Sequence, residues 1–89
     1  MYVTFSVVEV SPETSEEEAI RFLNNELLPL QKQAPGFVKG TWFGNNRTGH
    51  GAVVFETEEQ AKGGLQEIGF ELKGVKVVSS DVYRLHADA

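Results

Sequence analysis

The sequence predicts an α+β domain in which strands and helices follow the order β-α-β-β-α-β. Two observations lead to this order: several segments alternate apolar and polar side chains, and two acidic capping signals each precede a helical pattern. The chain has 89 residues, enough for one small domain with a thin core. We therefore expect residues 1–89 to form a single domain.

The first strand is expected over residues 2–10, because apolar side chains recur there at every second position. The regularly spaced apolar residues are Val3, Phe5 and Val7. The positions between them hold Tyr2, Thr4, Ser6 and Val8. A period of two places these sets on opposite faces of the strand.

The first helix follows an acidic segment. Ser15 with Glu18, or Thr14 with Glu17, has capping-box spacing. The acidic side chains here, Glu16 among them, are expected to form a solvated helix start that suits the helix dipole. The apolar residues that follow at helical spacing are Ile20, Leu23 and Leu27, flanked by Ala19 and Leu30. A proline inside this pattern, at position 29, must kink the helix or end it one residue earlier.

A hairpin is expected next. Residues 37–43 and 50–56 are rich in apolar and aromatic side chains, which is typical of strands. Residues 44–49 between them contain Gly, Asn and Thr and have the composition of a turn. Two strands joined by so short a connection pair antiparallel.

The second helix begins at a capping box formed by Thr57 and Gln60. Its apolar positions are Ala61, Leu65 and Ile68. Gly63 and Gly64 each disfavour a helix by about 1 kcal/mol relative to alanine, so close packing against the sheet would explain them. The last strand is expected over residues 75–85.

This order predicts a ferredoxin-like plait, a four-stranded antiparallel sheet with two helices on one face. The apolar set of the first strand, Val3, Phe5 and Val7, is expected to face the helices. The matching set of the third strand is Gly51, Val53 and Phe55. The opposite face would then be semi-apolar, and leaving it wet would cost several kcal/mol. We therefore expect a homodimer formed through this open sheet face.

The composition excludes several functional classes. Cysteine is absent, so the chain has no disulfide, thiolate nucleophile or Cys-based metal site. The net charge of −5 disfavours nucleic acid as a partner. No apolar run is long enough to span a membrane and no secretory signal is recognisable, so a cytoplasmic protein is expected. Neither histidine has metal-ligand spacing to a carboxylate, so no metal is expected.

Two segments point to a family: Pro-Gly-Phe-Val-Lys-Gly-Thr-Trp-Phe at 35–43 and the run from Asn46 to Ala61. They resemble the dimeric α/β-barrel superfamily, which includes the antibiotic-biosynthesis-monooxygenase-like proteins. Members pack the sheets of two ferredoxin-like protomers face to face into a barrel. They include cofactor-independent quinol oxygenases, haem-degrading enzymes, lactone isomerases and proteins without a known reaction. The haem-degrading relatives carry an axial histidine on the second helix, and residues 57–68 contain none, so no cofactor is expected.

A second resemblance is to the RNA-recognition motif, which shares the predicted topology. Its third-strand octamer falls on residues 48–55. The matching positions are Gly49, Gly51, Val53 and Phe55. The base-stacking aromatics are missing, because His50 and Ala52 stand in their places. We therefore expect no nucleic-acid partner.

The residues most suited to chemistry are few. His50 is a candidate catalytic base, since an imidazole suits proton abstraction near neutral pH. The quinol-oxygenase relatives bind an aromatic phenolate with Asn, Trp, Tyr and Arg side chains. The same types here, Trp42, Asn45, Tyr83 and Arg84, are candidate substrate-binding residues. The last two are adjacent on one strand and point to opposite faces, so they cannot line one pocket alone.

The sequence leaves two functions open. The first is a small dimeric α/β-barrel protein without catalysis, which binds a small molecule or is structural. The alternative is a cofactor-independent monooxygenase-like enzyme that holds an aromatic or quinol-type molecule between sheet and helices. The expected partners are a second copy of the chain and an aromatic small molecule. A pocket that contains His50, Trp42 or Tyr83 would favour the enzyme.

Overall fold

The computed structural model describes residues 1–89 as one antiparallel sheet with helices packed against it. The strands are β1 (Tyr2–Val10), β2 (Phe37–Asn45), β3 (Thr48–Phe55), β4 (Glu71–Leu72) and β5 (Val75–Arg84). The helices are α1 (Glu16–Phe22), a π-helical segment (Leu23–Leu27), α2 (Leu28–Gln31) and α3 (Glu58–Gly63). The strand order is β2-β3-β1-β5-β4. This confirms an α+β fold with an antiparallel sheet.

The sheet has five strands, so the prediction of four is wrong. The additional strand, β4, has two residues and pairs with the start of β5. Lys73 and Gly74 form the turn between them, with φ of 51° and 79°. Two residues are too few to show a periodic pattern, so this strand was not predictable from the sequence.

The hairpin between β2 and β3 is tighter than the sequence suggested. Only Asn46 and Arg47 connect the strands, and Asn46 adopts a φ of 56°, which asparagine tolerates in turns. A register shift between Phe37 and Lys39 also interrupts β2. The bulge places Phe37 on the same side of the sheet as Trp42, although simple alternation separates them.

Both helices begin at capping boxes. The Glu18 amide donates to Ser15 Oγ at 3.1 Å, and the Gln60 amide donates to Thr57 Oγ1 at 3.2 Å. Of the two alternatives for the first helix, the structure selects Ser15 as the N-cap. The helix then continues past the expected stop, because the π-helical segment places Pro29 in the first turn of α2. At that position its missing N–H costs little.

The helices cover the face of β1 that the alternation in the sequence assigned to the open side of the sheet. Thr4 and Ser6 are 3% and 4% exposed, and Thr4 Oγ1 donates to the carbonyl of Ala61 in α3 at 2.5 Å. Ser6 Oγ lies 2.9 Å from Ser80 Oγ. The side of β1 that carries Val3, Phe5 and Val7 is therefore the open face, opposite to the prediction. The hydroxyl groups enter the core because each has a hydrogen-bond partner there.

The prediction for β3 is confirmed. Gly51, Val53 and Phe55 lie opposite Ser6, Thr4 and Tyr2 in the register with β1, and all three are buried. Residues directly opposite in an antiparallel pair share a face, so these residues lie under the helices.

The core is thin, as 12 of 89 residues are buried. One cluster joins Val8, Phe22, Val75 and Val77, with Trp42 packed against it. A second joins Val53, Phe55 and Ala61. The expected helical faces are only partly right: Ile20 and Leu30 are exposed, and α3 ends before Leu65 and Ile68, which are exposed as well.

The glycine at position 51 has no room for a side chain. An added Cβ at Gly51 would overlap the indole ring of Trp42, whereas nothing lies within 4 Å of a Cβ built at Gly63. We expect Gly51→Ala to lower the free energy of unfolding by about 1–3 kcal/mol, because the ring must move. The control Gly63→Ala should leave it unchanged or raise it by up to about 1 kcal/mol. Urea denaturation followed by circular dichroism measures both, and equal stability of the two variants would contradict this packing.

Candidate functional site

An apolar cavity of about 290 Å³ lies between α1 and the end of the sheet formed by the β2–β3 hairpin. Eight of its 14 lining residues are hydrophobic. The helix side includes Ala19, Ile20 and Leu23, and the sheet side includes Val8, Trp42 and Gly49. A dry cavity of about 150 Å³ already holds benzene, so this one has the size for a substituted aromatic ring.

The wall formed by Trp42 is held in place from two directions. The indole lies across Gly51, its register partner on β3. Its Nε1 donates to Gln31 Oε1 of α2 at 3.2 Å. The indole N–H is therefore engaged, and Trp42 presents mainly carbon surface to the cavity.

Glycine on β3 keeps the cavity open. A Cβ added to Gly49 would come within 2.9 Å of Val8 Cγ2, and both residues line the cavity. Any side chain at this position would therefore project into the space that the sheet leaves beneath α1. Close approach of a ligand to the backbone is one of the uses of glycine in a strand.

Arg47 fixes the loop that leads into α1. Its guanidinium donates to the carbonyl oxygens of Ser11 at 2.7 Å, Pro12 at 3.2 Å and Thr14 at 3.5 Å. Its own carbonyl accepts from the amide of Val10 at 2.8 Å. These hydrogen bonds join the hairpin to the β1–α1 loop beside the cavity. Arg47 is therefore a positioning residue for the end of the cavity next to this loop.

The opposite side of the sheet carries a row of aromatic side chains, one from each long strand. Phe43 stacks on His50 with ring centroids 5.3 Å apart, and His50 stacks on Phe5 at 6.0 Å. Tyr83 meets Phe5 edge-on at 6.4 Å. No helix covers this aromatic row, and Phe43 and Tyr83 at its ends are 55% and 54% exposed.

The structure divides the predicted site residues between these two places. Trp42 and Asn45 line the cavity. His50 and Tyr83 belong to the aromatic row on the other face of the sheet. Arg84 lies opposite Tyr2 at the end of β5, away from both. The predicted base therefore shares a face with Tyr83, but it does not meet Trp42 or Asn45 within one chain.

Sequence reasoning missed two residues that line the cavity, Glu16 and Gly49, and one beside it, Arg47. In the sequence, ordinary structural roles explain all three residues: a helix start explains Glu16, a turn explains Gly49, and a hairpin loop explains Arg47. Their shared role depends on the packing of α1 over the hairpin, which no local pattern reveals. The one usable signal was the pair of glycines around His50, since alternate glycines in a strand mark close packing on one face.

No three His, Asp or Glu side chains are grouped as a metal site requires. None of the helices has both the length and the apolar character needed to cross a bilayer. A comparison of the sequence with protein-family models gives no match, and neither does a search of curated proteins. The family resemblance described above thus stays a prediction from the sequence.

The hydrogen bonds of Arg47 can be tested by substitution. We expect Arg47→Gln to speed amide hydrogen exchange in residues 11–15 about ten-fold, because the loop loses its charge-assisted hydrogen bonds. Arg84→Gln is the matched control, since that arginine is exposed at the end of β5. Hydrogen exchange followed by mass spectrometry gives the rates, and an unchanged loop in Arg47→Gln would show that Arg47 does not hold it.

Proposed function

We propose that this chain is a homodimeric, non-catalytic small-molecule-binding protein, built as a ferredoxin-like plait and related to the antibiotic-biosynthesis-monooxygenase-like proteins of the dimeric α/β-barrel superfamily. The observation that carries the binding role is the apolar cavity between α1 and the sheet. Ligand sites are typically concave, apolar and supplied with a few polar groups. This cavity has that character, with Glu16, Asn45 and Thr48 among its lining residues.

The strand order supports the plait. β3 lies between β1 and β2, and β1 lies between β3 and β5. Each helical connection therefore passes over one intervening strand, which is the arrangement of the split βαβ unit. The short β4 adds to the edge of the sheet and leaves this order unchanged.

A second copy is the occupant proposed for the open face. The four long strands of 8–10 residues give this face a projected area of roughly 500 Å² at ordinary strand spacing. Its accessible area exceeds the projection, so two copies packed face to face bury about 1,000 Å² or more, which suffices for a specific interface. The aromatic row would lie at its centre, where anchoring residues contribute most.

The charges of this face are few and of mixed sign. The strand register puts Lys39 and Lys76 on the open face, together with Glu9, Asp81 and Glu71. Two basic and three acidic groups give this face a net charge near −1, although the whole chain carries a net charge of −5. A two-fold axis brings the same patch onto itself, so this small net charge causes less repulsion than the rest of the surface would.

One observation favours the monooxygenase alternative: Trp42 and Asn45 share the cavity, as the resemblance to quinol oxygenases implies. The candidate base does not support it. His50 lies in the aromatic row, with the sheet between it and the cavity. Since a general base must come within hydrogen-bond reach of the proton it removes, binding without catalysis is the better supported function.

Charge placed on the aromatic row should separate the dimer. We expect the unaltered protein to sediment at twice its 9.8 kDa chain mass and Phe43→Glu or Tyr83→Glu to weaken the dimer at least about 100-fold, because a carboxylate would be buried against apolar surface. Both side chains are more than half exposed in the single chain, so folding should be retained. Sedimentation equilibrium and circular dichroism provide the two readouts.

Leu30→Glu is the control for this experiment. Leu30 is 66% exposed and lies on α2, away from the open face. The Leu30→Glu substitution adds the same charge at a similarly exposed apolar position, and it should leave the dimer intact. A protein that stays monomeric at high concentration without any substitution would refute the proposed dimer.

The absence of catalysis has its own test. We expect no oxygen uptake above the uncatalysed rate with a panel of hydroquinones, since no imidazole lies beside the cavity. An oxygen electrode measures the rate, with heat-denatured protein as the blank. Uptake that disappears in Trp42→Phe and persists in Tyr83→Phe would instead establish the monooxygenase alternative at this cavity.

A further inference from the structure

We infer that the cavity selects a ring-bearing molecule with an ammonium group over its carboxylate analogue, and that Glu16 determines this preference. The inference rests on the proposed small-molecule-binding function and specifies the class of ligand. Three observations carry it: the charges that line the cavity, the state of Trp42 and the surroundings of Arg47.

Glu16 is the one ionisable side chain among the residues that line the cavity, and no lysine, arginine or histidine is present there. The ion pairs of the structure join Lys39 to Asp88 and Lys73 to Glu26, so neither involves Glu16. Glu17 and Glu18 follow it in the first turn of α1. The Glu16 carboxylate therefore has no salt-bridge partner, and the first turn of α1 adds two further negative charges beside it.

Arg47 is a basic side chain near this group, because both residues line a neighbouring groove. Its guanidinium donates to three backbone carbonyl groups of the β1–α1 loop. The fixed guanidinium geometry commits these N–H groups to the loop. Arg47 is thus engaged as a structural donor and is absent from the cavity lining, where an anionic ligand would need it.

Trp42 adds a surface that attracts a cation and offers no hydrogen-bond donor to an anion. Its N–H is engaged by Gln31, so an anion gains no donor from it. Its indole ring lines the cavity, and the π face of an indole attracts cations. A ligand with a ring for the apolar walls and an ammonium group for Glu16 would satisfy both features at once. A carboxylate at the same place would be repelled by Glu16 and would find no basic partner.

The test uses three probes that share a phenyl ring and differ in charge: 2-phenylethylamine, 2-phenylethanol and phenylacetate. Trp42 is the sole tryptophan of the chain, so its fluorescence reports on the cavity directly. We expect the amine to bind about ten-fold more tightly than the carboxylate, with the alcohol between them, because attraction by one charge is replaced by repulsion. Salt should reduce this ratio.

Glu16→Gln is the decisive variant, and Glu17→Gln is its matched control. Both remove one carboxylate from the first turn of α1, but only Glu16 lines the cavity. We expect Glu16→Gln to reduce the amine-to-carboxylate ratio to about two-fold and Glu17→Gln to leave it near its original value. Circular dichroism confirms that both variants are folded.

The outcomes separate this inference from the function on which it rests. Three probes that bind equally well, or a preference that survives in Glu16→Gln, would overturn the charge selection and leave the binding role standing. Tighter binding of phenylacetate would do the same. If none of the probes changes the fluorescence of Trp42, the proposed binding function fails and the inference falls with it.

Discussion

The helices of this chain cover one face of the sheet and leave the other bare, and this asymmetry governs the rest of the structure. A helix of four turns and a helix of under two turns cannot shield both faces of four long strands. The covered face holds the small core and the cavity. The bare face concentrates its apolar surface in the aromatic row, where the rings of four strands lie side by side. No helix of the chain covers that row, and the proposed second copy would bury it.

The most instructive difference between sequence and structure lies in β1. Its apolar set, Val3, Phe5 and Val7, looks like the core face of a half-buried strand, yet Thr4 and Ser6 are the residues under the helices. Two hydrogen bonds make this arrangement stable, since each hydroxyl has a partner within the protein. An apolar period of two therefore identifies a strand, but it cannot say which face the helices cover when apolar residues lie on both faces.

The order of the long elements was predictable because each rests on a local signal. Capping boxes at Ser15 and Thr57 fix where the helices begin, and turn-forming residues fix the hairpin. The two-residue β4 and the bulge in β2 were not predictable, since neither leaves a periodic trace. The bulge matters most, because it decides that Phe37 shares a face with Trp42 while Phe43 joins the open face.

The candidate site was predictable only as a set of residue types. Trp42 and Asn45 do lie at one cavity, but His50 is on the far side of the sheet. Sequence alternation predicts this side for His50, because Gly51 and His50 are neighbours on β3 and neighbours point to opposite faces. The indole of Trp42 can lie across Gly51 only if Gly51 faces the helices. His50 then points to the open face. Arg47 and Glu16 lacked any such clue, as their roles arise only when α1 packs over the hairpin.

The two faces are joined through β2, where Trp42 points to the cavity and Phe43 points to the open face. One peptide bond separates a side chain of the candidate site from a side chain of the proposed interface. A ligand that fills the cavity without moving β2 gains nothing from the dimer, and the two equilibria remain independent. A ligand that shifts the strand together with the indole also shifts the row of rings on the other side. Coupling between ligand binding and dimerisation is reciprocal by thermodynamic linkage. A dimer that holds β2 rigid would therefore also fix the position of Trp42 in the cavity wall.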